Sequence, residues 1–165
     1  MTLAESLLID FDAEALSTRR LLERIPDDKG DWKPHEKSMP LGRLAVHVAR
    51  LPFFGQTVLS TPELDLATTK FPPLAFTSAE ELLTVAAGVA AELRTTLAHT
   101  SDDDLLANWT LRFGDKVINT GTRALMYRYM FFNHLIHHRG QLTVYLRLLD
   151  IPIPGLYGPS ADEPF

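Results

Sequence analysis

Residues 120–149 read TGTRALMYRYMFFNHLIHHRGQLTVYLRLL, and this stretch decides the fold. Large apolar residues recur in it at helical spacing, which predicts one long helix with a continuous apolar face. The same pattern predicts three further long helices, which begin near Thr2, near Ser38 and at Ser78. Four helices of this length, with only short strands between them, are typical of an all-α four-helix bundle.

Local signals mark the ends of these predicted helices. Thr2 and Ser78 are each followed three residues later by a glutamate, which is the capping-box pattern. Pro52 predicts a break within the second helix, because proline cannot donate the backbone hydrogen bond there. Residues 60–76 contain three prolines and predict a long crossover loop. Two short β-prone runs on either side of Gly114-Asp115 predict a small β-hairpin before the last helix.

The composition limits the class of protein. The 165 residues predict a single domain, residues 1–165, and 16 Lys and Arg against 21 Asp and Glu offer no basic surface for nucleic acid. The absence of cysteine excludes disulfides, a thiolate nucleophile and cysteine-ligated metals. No apolar run approaches the roughly 20 residues that a membrane span needs, and the acidic N-terminus is unlike a signal peptide. We therefore expect a cytoplasmic protein without membrane contact.

Histidines in two of the predicted helices are the candidate functional residues. His134 and His138 are spaced i and i+4, so both lie on one side of the last helix, about 40° apart at 100° per residue. They fall on its apolar face, whereas His137 lies about 90° from the centre of that face. His47 lies among apolar residues in the middle of the second helix.

Neutral histidines in a helical core need partners for their ring nitrogens, because an unpaired buried imidazole is energetically costly. A divalent metal would satisfy His134 and His138 together, and His47 is the candidate third ligand. Three imidazoles would leave at least one coordination position for water or substrate. The alternative, in which these are hydrogen-bonded core histidines, stays open at this point, because a lone buried histidine or a single HxxxH pair is a weak signal.

Four other residues near these motifs have expected roles. Gln141 lies on the same face as His138 and is expected to hydrogen-bond a ligand ring or a metal-bound water. Arg139 is expected to point outward into a salt bridge. Trp32 and Tyr157 are expected to anchor their loops on the helices rather than to contact substrate. The two remaining histidines, His35 and His99, are expected to face solvent or to cap helices.

Four stretches of the sequence are distinctive: Asp31-Trp32-Lys33-Pro34, residues 41–52, residues 134–141 and residues 154–162. Together they resemble the DinB superfamily, the DinB/YfiT-like metalloproteins. The resemblance covers nearly the whole chain and implies a four-helix bundle, often dimeric, with a metal site formed by three histidines. Carried over position by position, the ligands are His47, His134 and His138. The resemblance also implies that the metal is zinc, nickel or iron, and imidazole suits all three.

The resemblance implies an enzyme that uses a small thiol. Characterised relatives include bacillithiol S-transferases and a mycothiol-dependent maleylpyruvate isomerase, in which the metal binds a low-molecular-weight thiol and lowers its pKa. The resemblance therefore implies a thiol S-transferase that acts on small electrophiles. No Asp or Glu lies between Arg128 and Asp150, so a hydrolase would lack the general base that HExxH motifs supply. A metal-dependent hydrolase and a non-catalytic, stress-induced metal-binding protein remain as alternatives.

Overall fold

The computed structural model describes residues 1–73 and 75–164. The helices are α1 (Leu3–Leu22), α2 (Leu41–Arg50), α3 (Pro52–Ser60), α4 (Ala79–Ala98), α5 (Asp102–Leu106), α6 (Arg123–Tyr127) and α7 (Asn133–Leu148). The strands are β1 (Glu63–Asp65), β2 (Asn108–Phe113) and β3 (Lys116–Thr122), and a π-helical turn (Arg128–Phe132) joins α6 to α7. None of the helices in the described part of the chain is both long and apolar enough to cross a bilayer.

Two of the predicted helix starts are confirmed by their caps. The Thr2 hydroxyl accepts a hydrogen bond from the Glu5 backbone N–H (3.1 Å), and the Glu5 carboxylate accepts one from the Thr2 N–H (2.8 Å). The Ser78 hydroxyl likewise accepts from the Glu81 N–H (3.1 Å) at the start of α4. These side chains satisfy N–H groups that have no partner within the helix, which is why α1 and α4 begin at these residues.

The predicted break at Pro52 is also confirmed. Helix α2 ends at Arg50, and Pro52 is the first residue of α3, where its missing N–H leaves no backbone hydrogen bond unmade. Leu51, between the two helices, keeps a helical backbone conformation (φ −56°, ψ −33°), and the chain continues in helical form to Ser60.

Helix α2 begins at Leu41, later than the start near Ser38 that the sequence predicts. The Leu41 N–H donates to the Trp32 carbonyl (2.7 Å), and the Gly42 N–H donates to the Gly30 carbonyl (2.9 Å). The preceding loop thus supplies acceptors for the first N–H groups of α2 and ties its start to residues 30–32.

The strands form one small sheet in the order β1-β2-β3. β2 and β3 pair antiparallel around Gly114, which has a positive φ of 56°, so the predicted hairpin is confirmed. β1 pairs parallel with β2 and lies inside the segment predicted to be a crossover loop. The prediction of a mostly helical chain with a small hairpin is therefore confirmed, whereas β1 was not predicted. The three residues of β1 are too few to show the alternation of apolar and polar side chains that indicates a strand.

The last predicted helix is shorter and less regular than its sequence suggests. Residues 120–122 belong to β3, so helical structure begins at Arg123 instead of Thr120. The π-helical turn then changes the rotation of the chain before α7, because its hydrogen bonds span five residues instead of four.

The core lies between the long helices. Helix α4 packs against α1, α2 and α3, while α7 packs against α2 and α1. The rings of Phe11 in α1 and Phe131 in the π-helical turn meet edge-on with centroids 5.9 Å apart. Both side chains are fully buried.

Helices α2 and α7 run antiparallel, and this arrangement positions the histidines. Near the start of α2, the Trp32 ring packs edge-on against Tyr145 near the end of α7, with centroids 5.8 Å apart. Further along α2, His47 lies against His134 at the start of α7. The middle of α2 therefore faces the first two turns of α7.

Candidate metal centre

The structure brings His47 of α2 together with His134 and His138 of α7. Each residue offers one ring nitrogen, and the three nitrogens lie within 4.8 Å of one another. The ring centroids are 5.1, 4.6 and 4.7 Å apart, so the imidazoles form a nearly equilateral triangle. All three residues are partly buried. They are positioned to bind a metal ion.

The nitrogen spacing fits a divalent metal. Nitrogen ligands about 2.0–2.1 Å from a tetrahedral zinc ion lie about 3.3 Å from each other. The Nε2 atoms of His47 and His134 are 3.3 Å apart. Two imidazole lone pairs at this distance repel each other unless a proton or a cation lies between them, so the geometry suits an ion bound at the centre.

Hydrogen bonds on the outer side of two rings determine which nitrogen faces that centre. The His134 Nδ1–H donates to the Met130 carbonyl (3.2 Å), and the His138 Nδ1–H donates to the Gln141 Oε1 (2.7 Å). Because both acceptors are oxygens without a hydrogen, the proton of each neutral ring is on Nδ1. The Nε2 lone pairs of His134 and His138 are therefore available for a metal.

Burial keeps the three imidazoles uncharged. The pKa of His47 falls to about 4, mainly because of burial and in smaller part because of the positive charges that His138, His134 and Arg43 can carry. Burial is also the main cause that lowers the pKa of His134 and of His138. The histidines are thus neutral at pH 7, as metal ligands must be.

The other histidines lie outside this cluster. His137 is exposed, in agreement with its angular position away from the apolar face. The exposed His35 accepts a hydrogen bond from the Lys37 backbone N–H (3.1 Å), and His99 is the C-cap residue of α4. His35 and His99 therefore have the solvent-exposed and capping positions expected of them.

Arg139 does not point outward, contrary to the prediction from the sequence. It is 1% exposed and forms an ion pair with Glu14 of α1. The guanidinium also donates to the Glu14 carbonyl and to the Thr18 hydroxyl, both at 3.1 Å. The angular argument considered only the face of α7 that meets α2, but α7 also packs against α1 on another side. The expected salt bridge is present, inside the protein.

Glu14 is the residue that the sequence analysis overlooked. It lies 8% exposed on the side of α1 that also buries Leu7, Phe11 and Thr18. A glutamate at a core position of an amphipathic helix signals a buried basic partner, because an unpaired buried carboxylate is costly.

Tyr157 and Trp32 both anchor their segments. The Tyr157 hydroxyl is 2.9 Å from the Glu14 carboxylate and 2.5 Å from the Arg139 guanidinium, which ties the C-terminal tail to α1 and α7. Trp32 packs on Tyr145.

Carboxylates are missing from the centre. Within residues 1–73 and 75–164, the group that could hold a metal consists of the three histidines alone. The charged groups that shift the pKa of these histidines are other histidines and Arg43. In the described residues there is thus no carboxylate beside the centre to act as a general base.

Comparison with known proteins identifies the family. A family model described as the DinB superfamily matches residues 11–142, and this range contains His47, His134 and His138. The chain belongs to the DinB superfamily. This DinB-superfamily chain is also 26% identical over 160 residues to the uncharacterized protein YrdA of Bacillus subtilis (strain 168). The matched region covers 96% of this chain and 90% of YrdA.

Two solved structures share the fold of this DinB-superfamily chain. A DinB-like protein from Bacillus cereus ATCC 10987 has a TM-score of 0.69 at 23% identity, covering 94% of this chain and 98% of its own. The DinB-like protein YjoA from Bacillus subtilis has a TM-score of 0.70 at 19% identity, covering 97% and 96%. At these identities the likeness concerns the fold alone.

Proposed function

We propose that this chain binds one divalent metal ion through His47, His134 and His138 and catalyses the transfer of a small thiol to an electrophile. The observation that carries the proposal is the set of three converging ring nitrogens. Zinc, nickel and iron all suit imidazole ligands. When bound, such an ion would lower the pKa of a coordinated thiol, so that its sulfur is a thiolate at neutral pH.

The chain's own residues support this role in three ways. Hydrogen bonds to the outer nitrogens hold His134 and His138 in the tautomer that metal binding requires. Partial burial keeps the imidazoles neutral at pH 7. Among the described residues no fourth protein ligand completes the group, so an exchangeable position remains for a small molecule.

Thiol transfer suits these residues better than hydrolysis does. A metal-dependent hydrolase commonly has a carboxylate that takes the proton of the attacking water, and the described residues around this centre include none. In thiol transfer the S–H proton leaves to solvent, and sulfur forms a bond to the electrophilic carbon. The leaving group departs with the electron pair of its own bond, so no protein carboxylate is needed.

The proposal is tested with cobalt-substituted protein, because the d–d spectrum of cobalt reports the ligands around the ion. Adding a small thiol is expected to change that spectrum in a saturable way. The His137→Ala variant is the matched control and is expected to respond like the unaltered protein. A spectrum that saturating thiol leaves unchanged would indicate a closed structural site and contradict the transferase proposal.

Metal content tests the first half of the proposal separately. Protein purified without a histidine tag is expected to contain a stoichiometric divalent metal by elemental analysis. A tag-free preparation matters because nickel resin can load nickel artificially. Protein that stays metal-free after incubation with zinc, nickel or iron would contradict any metal role and would favour a helical interaction module.

At the level of architecture, we propose that residues 1–165 form one four-helix-bundle domain of the DinB/YfiT type that assembles as a homodimer. The family resemblance and the packing of α4 and α7 against α1 and α2 support the bundle. Size-exclusion chromatography with light scattering is expected to give twice the monomer mass. A monomer at all accessible concentrations would contradict the dimer.

A further inference from the structure

A polar cleft lies at the start of α2, where Pro40 and Arg43 line it. It has a volume of about 490 Å³, within the range of small-molecule sites. Trp32, Phe76 and Arg43 line it. A Cβ atom on Gly30 would come within 2.8 Å of the Phe76 side chain, and one on Gly42 would come within 2.5 Å. Because glycine has no Cβ, the Phe76 ring can pack here and close one wall of the cleft.

The cleft and the histidines lie along the same pair of helices. Trp32, in the cleft, packs on Tyr145, which is seven residues, or about two turns, beyond His138 on α7. On the facing helix, Arg43 is four residues, or about one turn, before His47, so the two residues share one side of α2. Arg43 therefore lines the cleft and lies on the same side of α2 as His47.

Arg43 is the cationic side chain of this cleft. It is exposed, and among the described residues its guanidinium has neither an ion-pair nor a hydrogen-bond partner. Its charge contributes to the lowered pKa of His47, which agrees with their closeness. An unpaired guanidinium next to a cleft of this size is suited to a planar anion, which it can bind through two parallel N–H groups.

Carboxylates of the same cleft have other partners or stay in solvent. Asp27 accepts a hydrogen bond from the first backbone N–H of α4 (2.6 Å), and Asp28 pairs with the lysine that follows it (3.2 Å). Asp31 also lines the cleft, and it is exposed. None of the three is within ion-pair distance of Arg43 in the described structure.

We propose that Arg43 is a positioning residue that binds the carboxylate of the thiol substrate, so that the substrate class is small thiols bearing a carboxylate. This inference rests on the proposed function, because it assumes that a thiol enters the histidine site. The thiol end occupies the exchangeable position beside His47, while the carboxylate extends toward the cleft and pairs with Arg43. Neutral thiols of the same length lack this second contact.

The experiment compares two thiols of the same carbon chain length, 3-mercaptopropionate, which ends in a carboxylate, and 3-mercaptopropan-1-ol, which ends in a neutral hydroxyl, by titrating each into the cobalt-substituted full chain. The dissociation constants are taken from the d–d spectrum. The unaltered protein is expected to bind the carboxylate about fivefold more tightly, because an ion pair with an exposed guanidinium is worth up to about that factor. In Arg43→Gln the ratio of the dissociation constants of the neutral and the carboxylate thiol is expected to fall to about one, with little change in the affinity for the neutral thiol.

The matched control is Arg50→Gln, because Arg50 lies three residues after His47 on the same helix. Arg50 donates to the Pro73 carbonyl (3.2 Å) and does not line the cleft. Its variant is expected to keep the preference for the carboxylate. If Arg50→Gln lowered the preference as much as Arg43→Gln, a general charge effect would replace the Arg43 contact and the inference would be wrong.

The outcomes separate this inference from the function beneath it. A spectrum unchanged by either thiol contradicts the proposed function, and the positioning role with it. Equal affinities for both thiols, or a preference that survives in Arg43→Gln, contradict the inference alone; a surviving preference would mean that the carboxylate binds the metal itself. Circular dichroism on each variant verifies that the exposed substitutions leave the fold intact.

Discussion

At the scale of single residues, the centre depends on which nitrogen of each ring carries the proton. His134 and His138 donate through Nδ1 to different acceptors, a backbone carbonyl and the Gln141 side chain. The carbonyl is part of the main chain, whereas Gln141 can be replaced without changing any backbone bond. The ligand rings therefore differ in how easily their orientation is disturbed.

Substituting the ligand histidines is expected to abolish tight metal binding. His47→Ala and His138→Ala each remove one of three ligands, so their loss of affinity is expected to exceed the 10–100-fold typical of an outer hydrogen-bond partner. Isothermal titration with zinc measures this loss. His137→Ala is the control, because His137 is exposed and outside the cluster; an equal loss in that variant would refute the assignment of ligands.

Gln141→Leu is expected to weaken metal binding by about 10–100-fold, because His138 loses the acceptor that orients its Nδ1–H. Gln141→Glu keeps an acceptor at the same position and is expected to retain the affinity. The measurement is a competition titration with a chelator of known affinity. If the Leu and Glu variants bound zinc equally well, the hydrogen bond to His138 would have no role in the site.

The lowered histidine pKa values predict a pH dependence of stability in the metal-free protein. An unfolded histidine has its ordinary pKa near 6.5, whereas burial lowers the pKa of His47 to about 4 in the folded chain. Below about pH 6.5 the unfolded chain therefore binds protons that the folded chain does not, and the free energy of unfolding falls until about pH 4.

Urea unfolding of metal-free protein at several pH values between about 7 and 5 measures this decline. His47→Gln is expected to flatten it, because the glutamine takes up no proton in either state. A free energy of unfolding that is constant over this interval would show that the three rings are solvated in the folded protein.

At the scale of elements, α7 uses two different sides. One side carries His134 and His138 toward α2, and another carries Arg139 toward Glu14 of α1. Tyr157 attaches the C-terminal tail to this same ion pair. The buried pair thus sets the position of α7 against α1 without contributing a metal ligand.

Breaking this buried pair is expected to destabilise the fold strongly. Arg139→Met leaves the Glu14 carboxylate buried without its partner and is expected to cost about 3–5 kcal/mol in the free energy of unfolding. The double variant with Glu14→Leu is expected to recover part of that cost, because no unpaired charge remains. Urea unfolding measures the free energy of unfolding of the two single variants, Arg139→Met and Glu14→Leu, and of the double variant. A double variant as unstable as the sum of the single variants would exclude a direct coupling.

At the scale of the whole molecule, the candidate metal centre joins segments that are far apart in the chain. His47 and His134 are 87 residues apart and belong to facing antiparallel helices. An ion held by both helices binds the folded state and has no such site in the unfolded chain. Metal binding should therefore stabilise the entire fold, beyond the local site.

The free energy of unfolding is expected to rise by about 2.7 kcal/mol at a free metal concentration of 100 times the dissociation constant. For a chain of this size that corresponds to a rise in Tm of roughly 5–10 °C, measured by differential scanning calorimetry. A chelator should reverse the rise, and His138→Ala should show none. A Tm that is independent of metal would contradict a site that bridges α2 and α7.

Local signals in the sequence were sufficient for much of the helical framework. Capping at Thr2 and Ser78, the break at Pro52 and the hairpin at Gly114 depend on residues within a few positions of each other, and all were predicted correctly. The i, i+4 spacing of His134 and His138 is likewise a local property of one helix. Short-range interactions of this kind do not depend on what the rest of the chain does.

The tertiary structure alone decided the features that need a distant partner. The parallel pairing of β1 with β2 joins residues almost fifty positions apart, and three residues carry no signal for it. Arg139 is buried because α1 offers Glu14, and Arg43 faces a cleft because Phe76 of the crossover segment closes one wall. A residue's own neighbours in sequence determine its helix and its side of that helix, but its burial and partners depend on which other element packs there.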